Sequence, residues 1–185
     1  MKSSILIILI LLSWVNISTA KANNCNIKLA LKEPIIKKVQ NINLSSQVSL
    51  DLEQFLSYGN FDIYRIATNV ICQKLSGTKY TGKIDEWQKF FDSALNGLLK
   101  EKYKEIKFTL VGNDDAVFKG RNISKEYIFH GDKDGNEQVI YNIAVMSENK
   151  QSLFTLSVSG NIAAEKEILS EYKRLVNSMD FNTTK

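Results

Sequence analysis

The sequence predicts an α+β fold: an antiparallel meander sheet of four to six strands with amphipathic helices packed on it. Two stretches, near residues 85–102 and 162–179, repeat apolar residues with the helical period of 3.6. Between them, short runs alternate apolar and polar residues and are joined by tight turns, which connect only antiparallel strands. With 185 residues, 44% of them apolar, the chain can build one full hydrophobic core.

The N-terminal segment, residues 1–22, has the features of a cleaved signal peptide. Lys2 precedes an unbroken run of Ile and Leu at residues 5–12, which is too short to span a membrane as a helix of about twenty residues. Small residues then predict cleavage after Ala20 or Ala22. We therefore expect an exported protein, periplasmic or secreted, without a stable membrane span after cleavage.

The charge of the mature chain excludes one class of partner. Cleavage after Ala22 removes Lys2 and Lys21, which lowers the formal net charge from +4 to +2. The densest basic run, residues 100–107, is broken by Glu101 and Glu105. Such interspersed charges give no electrostatic basis for binding nucleic acid, so we expect no nucleic-acid partner.

Two cysteines, Cys25 and Cys72, remain in the mature chain. In an oxidising compartment an even, small number of cysteines favours a disulfide, which here would tie down the N-terminal arm. The alternative is two unpaired thiols. A redox site is disfavoured because the chain has no C-x-x-C spacing.

Residues 23–48 are predicted to form an N-terminal arm or edge strand, followed by a single α+β domain over residues 49–181 and a tail at 182–185. Ile27, Leu29 and Leu31 alternate as in a strand, and Pro34 predicts its end.

Residues 50–76 can be interpreted in two ways. Phe55 and Leu56 fit a short helical pattern, and Gly59 with Asn60 predicts a turn. Beyond this turn, residues 61–75 carry apolar residues at helical spacing, which favours an amphipathic helix ending near Gly77. Because the same stretch is rich in β-branched side chains, a strand through residues 61–67 is the alternative.

The elements after residue 84 are clearer. A helix over residues 85–102 has one wide apolar face, and Asp85 with Gln88 predicts a capping box at its start. Strands are predicted around residues 106–110, 123–129, 139–146 and 153–158, of which the third is apolar on both faces and therefore central. Asn161 is the predicted cap of the last helix.

The sequence lacks the residue patterns of common catalytic and metal sites. His130 is the single histidine, and we expect it to be a surface imidazole where a strand meets a turn. Asp132, Asp134 and Glu137 do not have the spacing of a calcium-binding loop, so we interpret them as hairpin residues. We expect no enzymatic activity, no catalytic residue, no cofactor and no metal.

Residues 85–181 resemble the PsbP/Mog1/DcrB-like group of small α+β domains. The segments that carry the resemblance are residues 85–91 (DEWQKFF), 141–145 (YNIAV), 153–158 (LFTLSV) and 175–181 (LVNSMDF). The resemblance implies a non-catalytic accessory domain, exported in the DcrB-like bacterial members, with no shared catalytic residues.

These observations predict an exported, non-catalytic protein that acts by binding another protein. An envelope accessory factor and an inhibitor or immunity-type protein fit equally well, and the latter needs an exposed patch with aromatic or acidic anchors. The alternative is a carrier of a small apolar ligand, held between the sheet and the helix over residues 85–102. Four phenylalanines could line that pocket, although a filled core explains them as well: Phe90, Phe91, Phe108 and Phe129.

Overall fold

The computed structural model describes residues 17–25, 27–112, 117–118 and 122–181. Within these ranges the strands are β1 (Ile17–Ala22), β2 (Ile27–Lys32), β3 (Ile35–Asn43), β4 (Ser49–Phe61), β5 (Tyr64–Ser76), β6 (Lys104–Val111), β7 (Val117–Phe118), β8 (Asn122–Lys133), β9 (Asn136–Met146), β10 (Ser152–Asn161) and β11 (Asp180–Phe181). The helices are α1 (Ile84–Lys100) and α2 (Glu165–Ser178), with 3₁₀ turns at Asn23–Cys25 and Ile162–Ala164. Signal residues 1–16 and the predicted tail, 182–185, lie outside the described ranges.

The large sheet consists of two antiparallel meanders joined side by side. Its strand order is β3-β4-β5-β10-β9-β8-β6, and the short β7 pairs with β8. The first meander joins the second where β10 pairs with β5. The predicted α+β class is confirmed, but the sheet is larger than the four to six strands expected, because residues 35–76 form three long strands. A second sheet has the order β1-β2-β11, so the strand predicted from Ile27, Leu29 and Leu31 is confirmed as β2.

The helix favoured for residues 61–75 is wrong, because residues 64–76 form β5 and Phe61 is the last residue of β4. Ile66, Thr68, Val70 and Cys72 are buried while the residues between them are partly exposed, which is a period of two. Ile66 and Val70 are four residues apart, a spacing that fits a helix as well as a strand. The neighbouring strands β4 and β10 decide between the two structures, since they pair with both edges of β5.

The same correction applies to the segment before β5. Phe55 and Leu56 lie in β4 and not in a helix, and Gly59 and Asn60 are paired residues inside the same strand. The turn between β4 and β5 is formed by Asp62 and Ile63 instead.

The start of α1 differs from the predicted capping box of Asp85 and Gln88. The N-cap residue is Lys83, whose side chain makes no capping bond. The carboxylate of Glu86 instead accepts hydrogen bonds from the backbone N–H of Thr81 at 2.8 Å and of Gly82 at 2.7 Å. Glu86 therefore fixes the loop that leads into α1.

Asn161 caps the 3₁₀ turn that precedes the last helix, whereas the N-cap residue of α2 itself is Ala164, so the predicted cap holds only for the turn. The side-chain oxygen of Asn161 accepts a hydrogen bond from the N–H of Ala163 at 2.9 Å, at the start of the 3₁₀ turn that leads into α2. Four apolar side chains of this last segment are buried in the core: Ile168, Tyr172, Leu175 and Met179.

The two helices pack on opposite faces of the large sheet. α2 and β2 cover the face that bears Phe55, Val70 and Leu156, which we call the covered face. α1 packs on the other face, over β6, β8 and β9. Residues 139–146 of β9 are buried on both sides, as predicted for a central strand. On the α1 side, the surface of β3, β4 and β5 has no helix over it, and we call it the open face.

The N-terminal arm is fastened to the core by a disulfide between Cys25 and Cys72, which confirms the predicted bridge. Two hydrogen bonds support it: Asn24 N–H donates to the Glu53 carboxylate at 2.9 Å, and the Ser152 hydroxyl donates to the Asn24 carbonyl at 2.9 Å.

The described residues contain no helix that combines the length and the apolar character needed to cross a membrane.

Candidate functional site

The open face carries a groove across the first three strands of the large sheet. The strand register sets two neighbouring rows of side chains beside one another, Lys38, Gln54 and Ile71 in one row and Gln40, Leu52 and Gln73 in the next. These six residues and Val39 line a groove of about 630 Å³. Its position follows from topology, because α1 covers the opposite end of the same face.

The groove has the chemistry of a binding surface. Leu52 and Ile71 supply apolar surface, three glutamines supply amide donors and acceptors, and Lys38 supplies the one charged side chain of the lining. No carboxylate, thiol, imidazole or hydroxyl side chain is among the lining residues. The groove can therefore bury apolar side chains and pair with peptide groups or one anion.

Two of the groove's amides are oriented by neighbouring residues. Gln54 Nε2 donates to Asn69 Oδ1 at 2.9 Å, and the Tyr80 hydroxyl donates to Gln73 Oε1 at 3.2 Å. Burial, with a smaller effect from the charge of Glu86, raises the pKa of Tyr80 to about 12. Tyr80 therefore stays protonated at neutral pH and keeps donating to Gln73.

A second exposed surface lies at the tip of the β4–β5 hairpin. Phe61 and Ile63 are 46% and 82% exposed, and the carboxylate of Asp62 lies between them in sequence. Just below the tip, the Arg65 guanidinium lies 3.9 Å from the centre of the Tyr58 ring. The tip thus combines an aromatic, an aliphatic and an acidic side chain, as inhibitor-type binding requires. The sequence pattern does not predict this tip, because residues 61–75 carry apolar side chains at helical spacing.

The four predicted pocket residues do come together, but as a cluster of touching rings. Phe91 and Phe108 are 5.1 Å apart between ring centres, and Phe108 and Phe129 are 5.4 Å apart. Phe90 packs edge-on against Tyr127 at 6.1 Å. Phe90, Phe91 and Phe129 occupy the space between α1 and the sheet, while Phe108 lies at its margin and is 43% exposed. The groove lies over β3, β4 and β5, away from these rings.

The residues around His130 form the predicted hairpin. Asp134 and Gly135 make its two-residue turn with φ of 56° and 78°, and Asp132 Oδ1 accepts a hydrogen bond from the Gly135 N–H at 3.0 Å. His130 is partly exposed and lies inside β8, which continues to Lys133, not where the strand meets the turn.

A smaller cavity of about 260 Å³ adjoins this hairpin. It is lined by His130 and its neighbours Glu105, Lys107, Gly131, Asp132 and Glu137. In the part of the chain that the structure describes, no three His, Cys, Asp or Glu side chains are arranged to hold a metal ion.

Fold and groove together define a disulfide-linked α+β protein with a groove on the uncovered part of its sheet. No family model and no curated protein matches this sequence. One similar solved structure is PA94 of Pseudomonas aeruginosa, a protein of unknown function considered a regulator, with 9% identity, a TM-score of 0.42, and coverage of 85% of this chain and 92% of that chain. Another is LpqN of Mycobacterium tuberculosis, which is involved in cell envelope biogenesis, with 12% identity, a TM-score of 0.44 and 90% coverage of each chain.

Proposed function

We propose that this protein is exported and acts, without catalysing a reaction, by binding another protein through the open face. The observation that carries the proposal is the groove, whose lining combines Leu52 and Ile71 with three amides and the cation Lys38. Sheet surface of this composition suits a partner segment with apolar side chains, peptide groups for the amides, and a carboxylate opposite Lys38.

Export is supported by the signal features of residues 1–22 and by the disulfide, since such bridges persist in oxidising compartments. The resemblance to the PsbP/Mog1/DcrB-like group agrees with a non-catalytic accessory role in the periplasm or outside the cell. The mass of the protein recovered from the producing cells tests this part. We expect a chain that begins at Lys21 or Asn23, and a chain that still begins at Met1 would contradict export by this signal.

Site-specific photocrosslinking in the producing cells tests the binding surface. Benzoylphenylalanine would replace Gln54 in the groove, Ile63 at the hairpin tip, or the exposed Lys166 on α2 as a control. A protein partner captured from Gln54 and not from Lys166 supports the proposal. Capture from Ile63 alone would instead favour an inhibitor-type protein that uses the hairpin tip, and equal capture from all three positions would reject a defined surface.

Once a partner is captured, a matched pair of substitutions tests how much the groove contributes to the affinity for that partner. Leu52→Asp places a charge on the apolar floor, and we expect it to abolish binding. Leu44→Asp places the same charge on a residue that is 55% exposed in the loop between β3 and β4, and we expect no effect. Equal affinities for both variants would contradict the proposed surface.

The groove also favours a second candidate, a carrier of a small apolar ligand. Its volume of about 630 Å³ lies within the range of about 300–1,000 Å³ typical of small-molecule sites. Native mass spectrometry of protein purified from the producing cells should then show an added apolar mass that Ile71→Lys removes. A spectrum of unliganded protein alone would reject this candidate and leave the protein-binding proposal standing.

A further inference from the structure

β3 forms one edge of the large sheet and is paired on one side only. It spans nine residues, pairs with β4 along its whole length, and has no neighbour on its other side among the described strands. The outer edge of such a strand presents backbone donors and acceptors that can pair with another strand.

The side chains of the covered face do not shield this edge. Lys37 Nζ lies 2.8 Å from Glu53 Oε1 and 5.2 Å from the centre of the Phe55 ring, so it is held back over β4. Asn41 Nδ2 likewise donates to Asp51 Oδ1 at 2.6 Å. Between them, Val39 is 67% exposed, an unusual position for an apolar residue in a strand.

The sequence of β3 is nearly symmetric about Val39. Reading outward from Val39, each side has two polar residues and then an isoleucine: Lys38, Lys37 and Ile36 on one side, and Gln40, Asn41 and Ile42 on the other. An antiparallel strand paired with β3 runs in the opposite direction, so a second copy of this strand would present a matching residue at each position.

We propose that β3 pairs with β3 of a second copy of this chain, antiparallel and with the two-fold axis at Val39. This register sets Ile36 opposite Ile42 of the second copy and Lys38 opposite its Gln40, so an ammonium group faces an amide acceptor. Moving the axis to Lys38 would set two lysines directly opposite each other, which is unfavourable. The symmetric pattern thus favours a second copy of β3 as the strand that pairs with this edge, in the register centred on Val39.

The pairing has a definite consequence for the dimer. A two-fold axis perpendicular to the sheet keeps both open faces on the same side, so the two eight-stranded sheets become one. Lys38, Val39 and Gln40 line the groove of each copy, so the two grooves would lie next to each other across the axis.

Thiol crosslinking of the mature protein tests the register. Val39→Cys places two thiols at the axis, and a short thiol-to-thiol crosslinker should convert most of the variant into a covalent dimer. Val111→Cys, on the exposed opposite edge strand β6, is the matched control and should stay monomeric. Absence of the covalent dimer for Val39→Cys, or equal yields for both variants, would overturn the proposal.

Sedimentation velocity tests the assembly without a crosslinker. The wild-type protein should self-associate in a concentration-dependent way, and Val39→Lys should raise the Kd of dimerisation about fivefold or more by opposing two lysines. Val111→Lys should leave the Kd unchanged. A wild-type protein that is monomeric at every concentration would overturn the proposal, and so would a dimer that Val39→Lys does not weaken.

Discussion

At the scale of single residues, the buried carboxylate of Glu171 shows how the covered face accommodates charge. Lys32 Nζ lies 3.1 Å from Glu171 Oε2, and Arg174 donates to both carboxylate oxygens at 2.9 and 2.8 Å. Burial raises the pKa of Glu171, but the hydrogen bonds and charges of Arg174 and then of Lys32 outweigh this effect and lower it below the usual 4.5. The charged form of Glu171 is therefore favoured in the folded protein.

This lowered pKa predicts the pH dependence of a Glu171→Gln variant. A carboxylate with a lowered folded-state pKa stabilises the fold above the unfolded value of about 4.5, and this contribution is lost as pH falls through the folded value. We expect Glu171→Gln to lower the free energy of unfolding by about 1–2 kcal/mol at pH 7, since both cations are partly exposed. Urea unfolding at pH 7 and at pH 3 measures this difference.

The difference between wild type and Glu171→Gln should shrink at pH 3, because below the unfolded pKa of about 4.5 the unfolded chain binds the proton and the contribution of the charge falls. Glu148→Gln, in an exposed turn, is the control and should have no effect at either pH. An equal loss for Glu171→Gln at both pH values would show that the charge of Glu171 does not contribute.

Trp87 is a second residue whose contribution to the free energy of unfolding can be measured. It is 5% exposed and packs against the rings of Phe90 and Phe91. Within the described part of the chain, its indole N–H has no hydrogen-bond partner. An unpaired buried donor costs about 1–3 kcal/mol, which offsets part of what the ring contributes by packing.

We therefore expect Trp87→Phe to be nearly neutral, within about 1 kcal/mol, because it removes the unpaired donor and keeps one ring. Trp87→Ala removes the ring altogether and should cost about 3–5 kcal/mol. Chemical unfolding of both variants makes the comparison. A loss for Trp87→Phe as large as that for Trp87→Ala would mean that the indole N–H is satisfied in solution.

At the scale of elements, the spacing of apolar residues predicted a helix or strand correctly wherever it fitted only the helical period or only the strand period. The apolar stripe predicts α1 within two residues of both ends, and the two-sided apolar run at 139–146 matches the buried part of β9, which begins three residues earlier. The helix prediction for residues 61–75 failed because the spacing of Ile66 and Val70 fits both the helical period of 3.6 and the strand period of two. β4 and β10, which pair with β5 and fix it as a strand, are formed by other segments of the sequence. Local pattern cannot supply that information.

The groove was unpredictable for a related reason. Gln40, Gln54 and Gln73 are ordinary polar positions of three separate strands, and only the register of β3, β4 and β5 brings them together. Which part of the sheet stays uncovered depends on where α1 packs. The disulfide was predictable, since only Cys25 and Cys72 were available to form it.

Two glycines allow the effect of strain to be separated from that of a steric clash. Gly77 after β5 and Gly135 in the β8–β9 turn both have positive φ, 82° and 78°. A Cβ at Gly77 would overlap the carbonyl oxygen of Gln47, whereas a Cβ at Gly135 would meet open space. Both positions are strained for alanine, but only the first also forces the backbone to move.

We expect Gly135→Ala to lower the free energy of unfolding by about 1–2 kcal/mol, the cost of a left-handed conformation. Gly77→Ala should cost at least about 3 kcal/mol, because the clash with Gln47 adds to the same strain. Thermal unfolding of the two variants provides the comparison. Equal midpoints would show that the loop over residues 44–48 moves away freely.

At the scale of the whole molecule, the predicted processing changes how the N-terminal arm is held. β1 lies within the predicted signal, so cleavage after Ala22 would remove the strand that pairs with all six residues of β2. β2 would keep its short pairing with β11 and the burial of Ile27, Leu29 and Leu31 under α2. The mature arm then depends on the disulfide at its start.

This dependence predicts a large effect of reducing the bridge in the mature protein. Cys25 and Cys72 are separated by 47 positions, and closing a loop of that length stabilises the fold by about 4 kcal/mol in the chain-entropy model. Urea unfolding of the oxidised and the reduced protein measures this value without changing any side chain. Hydrogen exchange should also become faster in β2 on reduction, since its covalent anchor to β5 is gone. A reduced protein within about 1 kcal/mol of the oxidised one, with β2 still protected, would show that burial under α2 alone holds the arm.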